Sequence, residues 1–77
     1  MSEHVRIERD GGVLAITLAR PDRRNAITVA MYRALADAVE SAAKDDDVRL
    51  ITLRGEGQDF TAGNDLGDFL AELPRDG

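Results

Sequence analysis

Cysteine and tryptophan are absent from this 77-residue chain, and proline occurs only twice. Without cysteine the chain has no disulfide, no thiol nucleophile and no cysteine-ligated metal site. Aromatic side chains are also few, being limited to Tyr32, Phe60 and Phe69. Chains near this length bury only about 60% of their unfolded surface and usually need cross-links or partners for stability. These shortages argue against a self-sufficient enzyme with a deep pocket.

Positive charge and long hydrophobic runs are scarce as well. Ten Lys and Arg residues stand against fifteen Asp and Glu residues, and the net charge of −5 opposes the basic surface that nucleic-acid binding requires. No apolar run approaches the ~18 residues that cross a membrane. The segment from Met1 to His4 lacks the basic and apolar regions of a signal peptide. We therefore expect a globular, cytoplasmic protein that binds neither nucleic acid nor a membrane.

Two short strands are predicted at the start of the chain. Polar and apolar residues alternate over His4–Glu8, a period typical of a half-buried strand, and Val13–Leu18 is a second, largely apolar run. Between them, Asp10 and Gly11 form a dipeptide typical of tight hairpin turns, since glycine adopts a positive φ at little cost. Pro21 ends the second strand because it lacks an amide hydrogen. The sequence therefore predicts a β-hairpin.

An amphipathic helix is predicted after Pro21. Asn25 or Thr28 could cap its start through a side-chain oxygen. Its end is predicted at Lys44 and the acidic residues 45–47, because three carboxylates are unfavourable at the negative end of the helix dipole. The apolar stripe of this helix comprises Ile27, Met31, Leu35, Ala38, Val39 and Ala42.

Three further segments complete the predicted order β-β-α-β-loop-α. Val48–Leu53 is mostly apolar, as in a strand that is buried on both faces. Residues 55–59 are predicted to form a loop, and residues 65–73 a short helix that Pro74 stops. The strands on either side of the first helix should be parallel. Three strands under one long helix leave part of the sheet uncovered, so we expect the chain to belong to a larger protein or to assemble with copies of itself.

Three segments carry a family resemblance. The run Leu18–Ile27 (LARPDRRNAI) precedes the helix, Val48–Gly55 (VRLITLRG) follows it, and Phe60–Leu66 (FTAGNDL) completes the series. In order and spacing they resemble the N-terminal part of the crotonase family, which is the enoyl-CoA hydratase/isomerase superfamily. Members of that family are several times longer than this chain. We therefore expect residues 1–77 to form the N-terminal part of a crotonase-like domain.

The resemblance implies an α/β fold of ββα units that spiral around a core, assembled into trimers or hexamers. It implies an acyl-CoA thioester substrate that carries its own coenzyme A, with no metal or redox cofactor. In the family, the chemistry proceeds through an enolate-like oxyanion held by two backbone amides. The second amide and the acid/base glutamates are implied to come from later segments. The isolated chain is therefore expected to be inactive.

The resemblance places the first oxyanion amide at Asn64. Its backbone N–H would be the donor, at the start of a helix whose dipole favours negative charge. Gly63 would let the backbone turn and approach the thioester, which a Cβ would obstruct. Ala62 and Asn64 would also offer carbonyls near the adenine. Taken alone, Ala62–Asp65 is more typical of a plain strand-to-helix turn with Asp65 as the cap, but the upstream motif favours the oxyanion function.

Coenzyme A contacts are implied at the upstream motif. Arg20, Arg23 and Arg24 form the one basic cluster of the sequence, and forked guanidinium donors suit phosphate. Arg23 and Arg24 are the candidate phosphate or pantetheine contacts, with solvated loop charges as an equal alternative. Asn25, as a helix cap, and Ala26, as a small residue, also suit structural roles. The coenzyme A-binding set implied by the resemblance is completed by Ala26, Ala62, Asn64 and Asp65.

Two reactions and one non-catalytic function stay open. Enoyl-CoA hydration is the first prediction. Isomerisation is the alternative, because Asn64 and Asp65 follow the motif glycine where many hydratases have Ala-Asp. The non-catalytic alternative is a self-assembling module that holds coenzyme A weakly.

Overall fold

The computed structural model describes residues 3–72, which form a three-stranded sheet with two α-helices. The strands are β1 (Val5–Asp10), β2 (Val13–Leu18) and β3 (Leu50–Gly55). The helices are α1 (Val29–Ala43) and α2 (Leu66–Glu72), and a 3-10 turn spans Pro21–Arg23. This order confirms the predicted α/β succession of elements. The predicted end of the last helix, at Leu73 and Pro74, lies outside the described residues.

The sheet has the order β1-β2-β3, with one antiparallel and one parallel pair. Gly11, at φ 58°, lies in the tight turn between β1 and β2, as the Asp-Gly dipeptide predicts. Strands β2 and β3 run parallel, with Val13 opposite Leu50 and Leu18 opposite Gly55. Helix α1 connects these two strands, so the predicted parallel crossover is confirmed. The carboxyl ends of β2 and β3 therefore lie side by side, and the loops that leave them begin next to each other.

Helix α1 begins at a side-chain cap on Thr28. The Thr28 hydroxyl accepts a hydrogen bond from Met31 N at 3.1 Å, and Thr28 N in turn lies 3.4 Å from Met31 Sδ. Of the two predicted caps, Thr28 is therefore correct and Asn25 is wrong. The helix ends at Ala43 with Lys44 as its C-cap, which confirms the predicted end.

The hydrophobic core lies between one face of the sheet and one side of α1. At its centre, Ile16, Leu18 and Met31 are at most 1% exposed. The core residues are Val5, Leu14, Ile16, Leu18, Ile27, Met31, Ala34, Ala38 and Ala42, with Leu35 packed against them. Val39, which was predicted to belong to the apolar stripe, is instead 48% exposed. It borders an open cleft of about 560 Å³ between α1 and β3, so no strand within residues 3–72 covers it.

Strand β3 differs from its prediction in both position and burial. It begins at Leu50, and Val48 lies in the preceding turn and packs against the core. Leu50 is 55% exposed, Ile51 39% and Leu53 47%. The predicted burial on both faces is therefore wrong within residues 3–72, whereas the expectation that this chain leaves part of the sheet uncovered is confirmed. The reason is that the strand residues covered by α1 belong to β1 and β2.

Candidate functional site

Two loops meet where β2 and β3 end, and we call residues 20–27 and 55–65 together the loop junction. Asn25 is fully buried within it. Its Oδ1 accepts a hydrogen bond from Arg20 N at 2.8 Å, while its Nδ2 donates to the carbonyls of Glu56 and Asp59, both at 2.8 Å. Asn25 has φ 57°, in the left-handed region that asparagine tolerates better than most residues. The side chain predicted as a helix cap therefore ties the two loops together instead.

Gly55 lies directly against the Asn25 amide. A Cβ at Gly55 would meet the carbonyl oxygens of Asp59 and Phe60, and it would lie 2.7 Å from Asn25 Nδ2. These oxygens belong to the backbone and cannot rotate away as a flexible side chain would. Glycine is therefore required here by close approach, and it lets the second loop fold back over the first.

Ile27 and Asn64 form an isolated parallel bridge between the two loops. Ile27 N donates to Gly63 O at 2.8 Å, and Asp65 N donates to Ile27 O at 2.8 Å. Because successive residues of extended backbone present their polar groups to opposite sides, the Asn64 N–H points away from Ile27. Within residues 3–72, that N–H has no hydrogen-bond acceptor. The bridge thus fixes both neighbours of Asn64 and leaves its own amide available.

Gly63 turns the backbone immediately before this amide. Its φ is 95°, and its N–H donates to Thr61 Oγ1 at 3.1 Å. The Thr61 hydroxyl donates in turn to Asn25 O at 2.7 Å. A Cβ at Gly63 would meet no described atom within 4 Å, so the positive φ rather than crowding requires glycine. The predicted turn at Gly63 is confirmed, and its close approach to a thioester stays a prediction.

The Asp65 carboxylate is held from two sides. Oδ2 accepts a hydrogen bond from Arg20 Nη1 at 2.9 Å, and Oδ1 accepts one from Asp68 N, in the first turn of α2, at 3.0 Å. The Asp68 amide and then the Arg20 guanidinium hold the pKa of the Asp65 carboxyl below its ordinary value. Arg20 Nη1 also donates to Ala26 O at 3.0 Å, so one guanidinium joins both motifs. The predicted cap at Asp65 is confirmed.

The three clustered arginines have different partners. Arg20 has only 15% of its side chain exposed and pairs with Asp65. Arg24 is 72% exposed, and its hydrogen bond to Asp59 at 3.3 Å raises the pKa of its guanidinium above the ordinary value. Arg23 is exposed in the 3-10 turn, near enough for its charge to help lower the pKa of Asp65. Arg23 and Arg24 are thus the members of the cluster that an anionic ligand could reach.

This arrangement of motifs occurs in a known protein family. A sequence profile described as enoyl-CoA hydratase/isomerase matches residues 8–76. The chain belongs to the enoyl-CoA hydratase/isomerase family. The resemblance to the crotonase superfamily is therefore confirmed.

Individual family members show the same relationship. The mitochondrial Delta(3,5)-Delta(2,4)-dienoyl-CoA isomerase of Mus musculus is 41% identical over 61 residues, which are 79% of this chain and 19% of that protein. A solved enoyl-CoA hydratase/isomerase from Pseudoalteromonas atlantica has a TM-score of 0.88 and 37% identity, over 97% of this chain and 30% of that one. The enoyl-CoA hydratase from Mycobacterium tuberculosis has a TM-score of 0.84 and 32% identity, over 92% of this chain and 32% of that one. The chain spans between 18% and 28% of the length of the curated relatives compared with it.

The residues that the family resemblance singles out lie close together in the loop junction. Ala62 N donates to Arg24 O at 2.9 Å, directly beside the bridge between Ile27 and Asn64. Ala26 is half-buried, with its carbonyl bonded to Arg20. The two motifs are therefore one structural unit. The contacts of Arg23, Arg24, Ala26, Ala62, Asn64 and Asp65 with coenzyme A stay predictions.

Tyr32 is a residue of this site that the sequence pattern does not reveal. Its hydroxyl donates to Asn64 Oδ1 at 2.9 Å, and its ring meets that of Phe69 edge to face, with 5.5 Å between the ring centroids. Tyr32 follows Met31 in α1 and falls outside the apolar stripe of the helix. No local signal predicts a partner that lies 32 positions along the chain.

Metal and membrane features are not found in the part of the chain that the structure describes. Residues 3–72 contain no group of three or more His, Asp or Glu side chains that could hold a metal ion. No helix in that range is long and apolar enough to cross a membrane. The same residues contain no buried side-chain nitrogen or oxygen without a hydrogen-bond partner.

Proposed function

We propose that, in a protein of family length, this chain supplies one backbone donor of an oxyanion hole that acts on acyl-CoA thioesters. The donor is the Asn64 N–H, and the supporting observation is the bridge to Ile27. The two hydrogen bonds of that bridge use Gly63 O and Asp65 N, both at 2.8 Å, and leave the N–H between them without an acceptor in residues 3–72. A donor that is oriented before the substrate binds needs no reorganisation during the reaction.

The proposed chemistry follows from the thioester carbonyl. When water adds at the β-carbon of an enoyl thioester, or when a base removes a proton beside the double bond, negative charge moves onto the carbonyl oxygen. An N–H donor about 2.7–3.1 Å from that oxygen stabilises the enolate-like transition state. The carboxylate next to the donor belongs to Asp65, and it already accepts hydrogen bonds from the Arg20 guanidinium and the Asp68 backbone amide. The groups that transfer protons are therefore expected from later family segments. The 77-residue chain alone is therefore proposed to be inactive.

Enoyl-CoA hydration is the first proposed reaction and enoyl-CoA isomerisation is the second. The Asn64–Asp65 pair after the motif glycine supports isomerisation, as does the dienoyl-CoA isomerase among the relatives. The two reactions can be separated with one preparation of the family-length protein. Hydration of crotonyl-CoA removes the absorbance of the conjugated thioester, whereas isomerisation of a 3-enoyl-CoA creates that absorbance. Both reactions would use the same Asn64 amide.

Coenzyme A is proposed to lie along the loop junction, as part of the substrate, with no separate cofactor. Arg23 and Arg24 support this placement because their exposed guanidinium groups carry the charge that phosphate requires. The Ala62 and Asn64 carbonyls are the proposed contacts of the adenine, with Ala26 and Asp65 beside them. Assembly into trimers or hexamers and a cytoplasmic location complete the proposal.

The test removes the Asn64 N–H from a family-length protein that contains residues 1–77. An Asn64→Pro variant deletes the donor, and we expect turnover to fall by about 10²–10³-fold. Replacing the amide by a backbone ester deletes the same N–H without the proline ring, and the same loss is expected. An ester at Asp65 is the matched control. It removes the hydrogen bond to Ile27 O at 2.8 Å and should act mainly on the melting temperature. Full turnover by a folded Asn64 ester would exclude this amide from the mechanism.

A self-assembling module that binds coenzyme A without catalysis is the candidate from a different functional class. The exposed apolar side chains of β3 favour it, because they could be buried between copies of the chain. This alternative predicts no turnover even in a protein of family length. It also predicts a defined oligomer of the 77-residue chain, which light scattering would detect.

A further inference from the structure

The side chain of Asn64 has one partner in the described part of the chain. Its Oδ1 accepts a hydrogen bond from the Tyr32 hydroxyl at 2.9 Å. The bridge beside it runs through Gly63 O and Asp65 N and bonds no polar atom of Asn64. Within residues 3–72, the Tyr32 hydroxyl is therefore the only hydrogen-bond partner of Asn64.

We propose that Tyr32 is a positioning residue that, together with the bridge to Ile27, fixes the direction of the oxyanion donor. This inference rests on the proposed function, in which the Asn64 N–H is that donor. The direction of an N–H depends on the backbone dihedrals around it, and a side chain tethered at its end restricts those dihedrals. Small misplacements of a donor cost rate even when the donor is still present. Tyr32 thus acts on the reaction through Asn64 and touches no substrate atom.

Tyr32 is itself held firmly enough to serve as such a support. It lies in the first turn of α1, where its backbone N–H donates to Thr28 O at 3.0 Å. Its ring packs edge to face on Phe69 of α2. At the first residue of the same turn, Val29 N donates a hydrogen bond to Asp68 Oδ2 at 2.7 Å, which joins α2 to the start of α1. The hydroxyl therefore projects from a ring whose own position is set by two helices.

A Tyr32→Phe substitution isolates the hydroxyl, because phenylalanine keeps the ring that packs on Phe69. In the family-length protein we expect kcat to fall about three- to tenfold, the range that one hydrogen bond corresponds to. KM should change less than about twofold, because the hydroxyl contacts no substrate. A merely structural Tyr32 would instead lower the melting temperature and leave kcat of the folded enzyme unchanged.

Asn64→Ala provides the second variant, since it keeps the backbone N–H and removes the tether from the other end. We expect it to lower kcat by a factor similar to that of Tyr32→Phe. The double variant should then be no slower than either single variant, because both remove the same hydrogen bond. Multiplying effects in the double variant would show that Tyr32 acts independently of Asn64, and this outcome would overturn the inference.

The Asn64 ester separates this inference from the proposed function. If the ester variant is inactive and Tyr32→Phe has the kcat of the unmodified enzyme, the proposed function stands and the inference about Tyr32 is wrong. If the folded ester variant is fully active, the proposed function is wrong and the inference falls with it. A slow Tyr32→Phe, a non-additive double variant and an inactive ester together support both.

Discussion

The loop junction and the edge strand β3 differ in how completely this chain satisfies their side chains. What must be satisfied is the hydrogen bonding of a buried polar side chain in the junction and the burial of apolar side chains in β3. In the loop junction, all hydrogen-bonding atoms of the fully buried Asn25 side chain have partners on both loops. In β3, by contrast, Leu50, Ile51 and Leu53 are between 39% and 55% exposed. Hydrogen bonding is therefore complete for the buried side chain at the centre of the loop junction, whereas hydrophobic burial is incomplete along β3.

This difference shows that the geometry of the site and the stability of the fold have separate sources. Asn25 and Gly55 place the two loops against each other through contacts within the chain. The free energy of folding depends mainly on buried apolar area, and β3 contributes little of that area because side chains on both of its faces are exposed. The site is thus built by hydrogen bonds and close contacts between its two loops, on a sheet whose core is only partly covered.

The largest expected effect comes from breaking the loop junction with Asn25→Ala. This change leaves Arg20 N and the carbonyls of Glu56 and Asp59 without their partner. Each partly buried group that loses its partner costs about 1–3 kcal/mol when water cannot replace the hydrogen bond, so the three groups together predict a loss of about 3–9 kcal/mol, enough to unfold a marginal chain. Urea unfolding followed by circular dichroism measures this loss.

Thr28→Ala is the matched control for Asn25→Ala, since the sequence predicts either residue as the cap of α1. Removing a true N-cap costs about 1 kcal/mol. Equal losses for the two variants would show that Asn25 acts only as a cap. If Asn25 holds the two loops together, Asn25→Ala should lower the free energy of unfolding several-fold more than Thr28→Ala does.

Local patterns were sufficient to predict most of the fold. The Asp-Gly turn, the alternation in His4–Glu8 and the helical spacing after Pro21 each depend on neighbouring residues, and the corresponding hairpin and helix are confirmed. The parallel pairing of β2 and β3 follows from chain connectivity and is also confirmed. These features could be predicted because steric and hydrophobic effects act over one element at a time.

The remaining errors concern contacts between distant residues. The apolar run Val48–Leu53 predicts a strand buried on both faces, and only the small number of elements in the chain predicts that this cover is incomplete, as the exposure of Leu53 confirms. Asn25 has the residue type of a helix cap, and its true partners lie 31 and 34 positions away. The Tyr32–Asn64 hydrogen bond likewise joins residues that lie 32 positions apart in the sequence. The position of Asn64 was predicted from the family motif, whereas its free N–H depends on the bridge to Ile27.

An intermediate effect is expected from a pair of leucines on the same sheet. Leu18 in β2 is 0% exposed, whereas Leu53 in β3 is 47% exposed. Leu18→Ala should cost about 2–5 kcal/mol, because a buried leucine leaves a cavity. Leu53→Ala should cost about 1 kcal/mol, since half of its surface is already in water. Urea unfolding of the 77-residue chain at low concentration measures both values.

Light scattering of the same samples measures how the oligomeric state of the chain depends on its concentration. We expect the 77-residue chain to self-associate as its concentration rises, because β3 exposes apolar surface along a sheet edge. The loss caused by Leu53→Ala should then grow with concentration, while that of Leu18→Ala stays constant. A compact monomer in which both leucines cost the same would contradict the open face of β3.

The smallest expected effect is a dependence of stability on acidic pH. The pKa of Asp65 is lowered by the Asp68 amide and by Arg20, and the pKa of Asp45 is lowered by Arg9. A carboxyl whose pKa is lower in the folded state than its unfolded value of about 3.9 stabilises the fold above that value. The contribution is lost as the pH falls through the folded pKa. The urea midpoint should therefore fall between about pH 5 and pH 2.

Two substitutions assign this acid sensitivity to one region or the other. Asp65→Asn keeps a residue that can cap α2 and removes the charge that pairs with Arg20, so it should flatten the part of the pH dependence that comes from the loop junction. Asp45→Asn does the same for the ion pair with Arg9, at 2.8 Å, beyond the end of α1. If Asp45→Asn removed the whole dependence and Asp65→Asn none of it, the Arg20–Asp65 pair would contribute nothing to folding in solution. The loop junction would then owe its order to its other contacts, chiefly those of Asn25 and the bridge at Ile27.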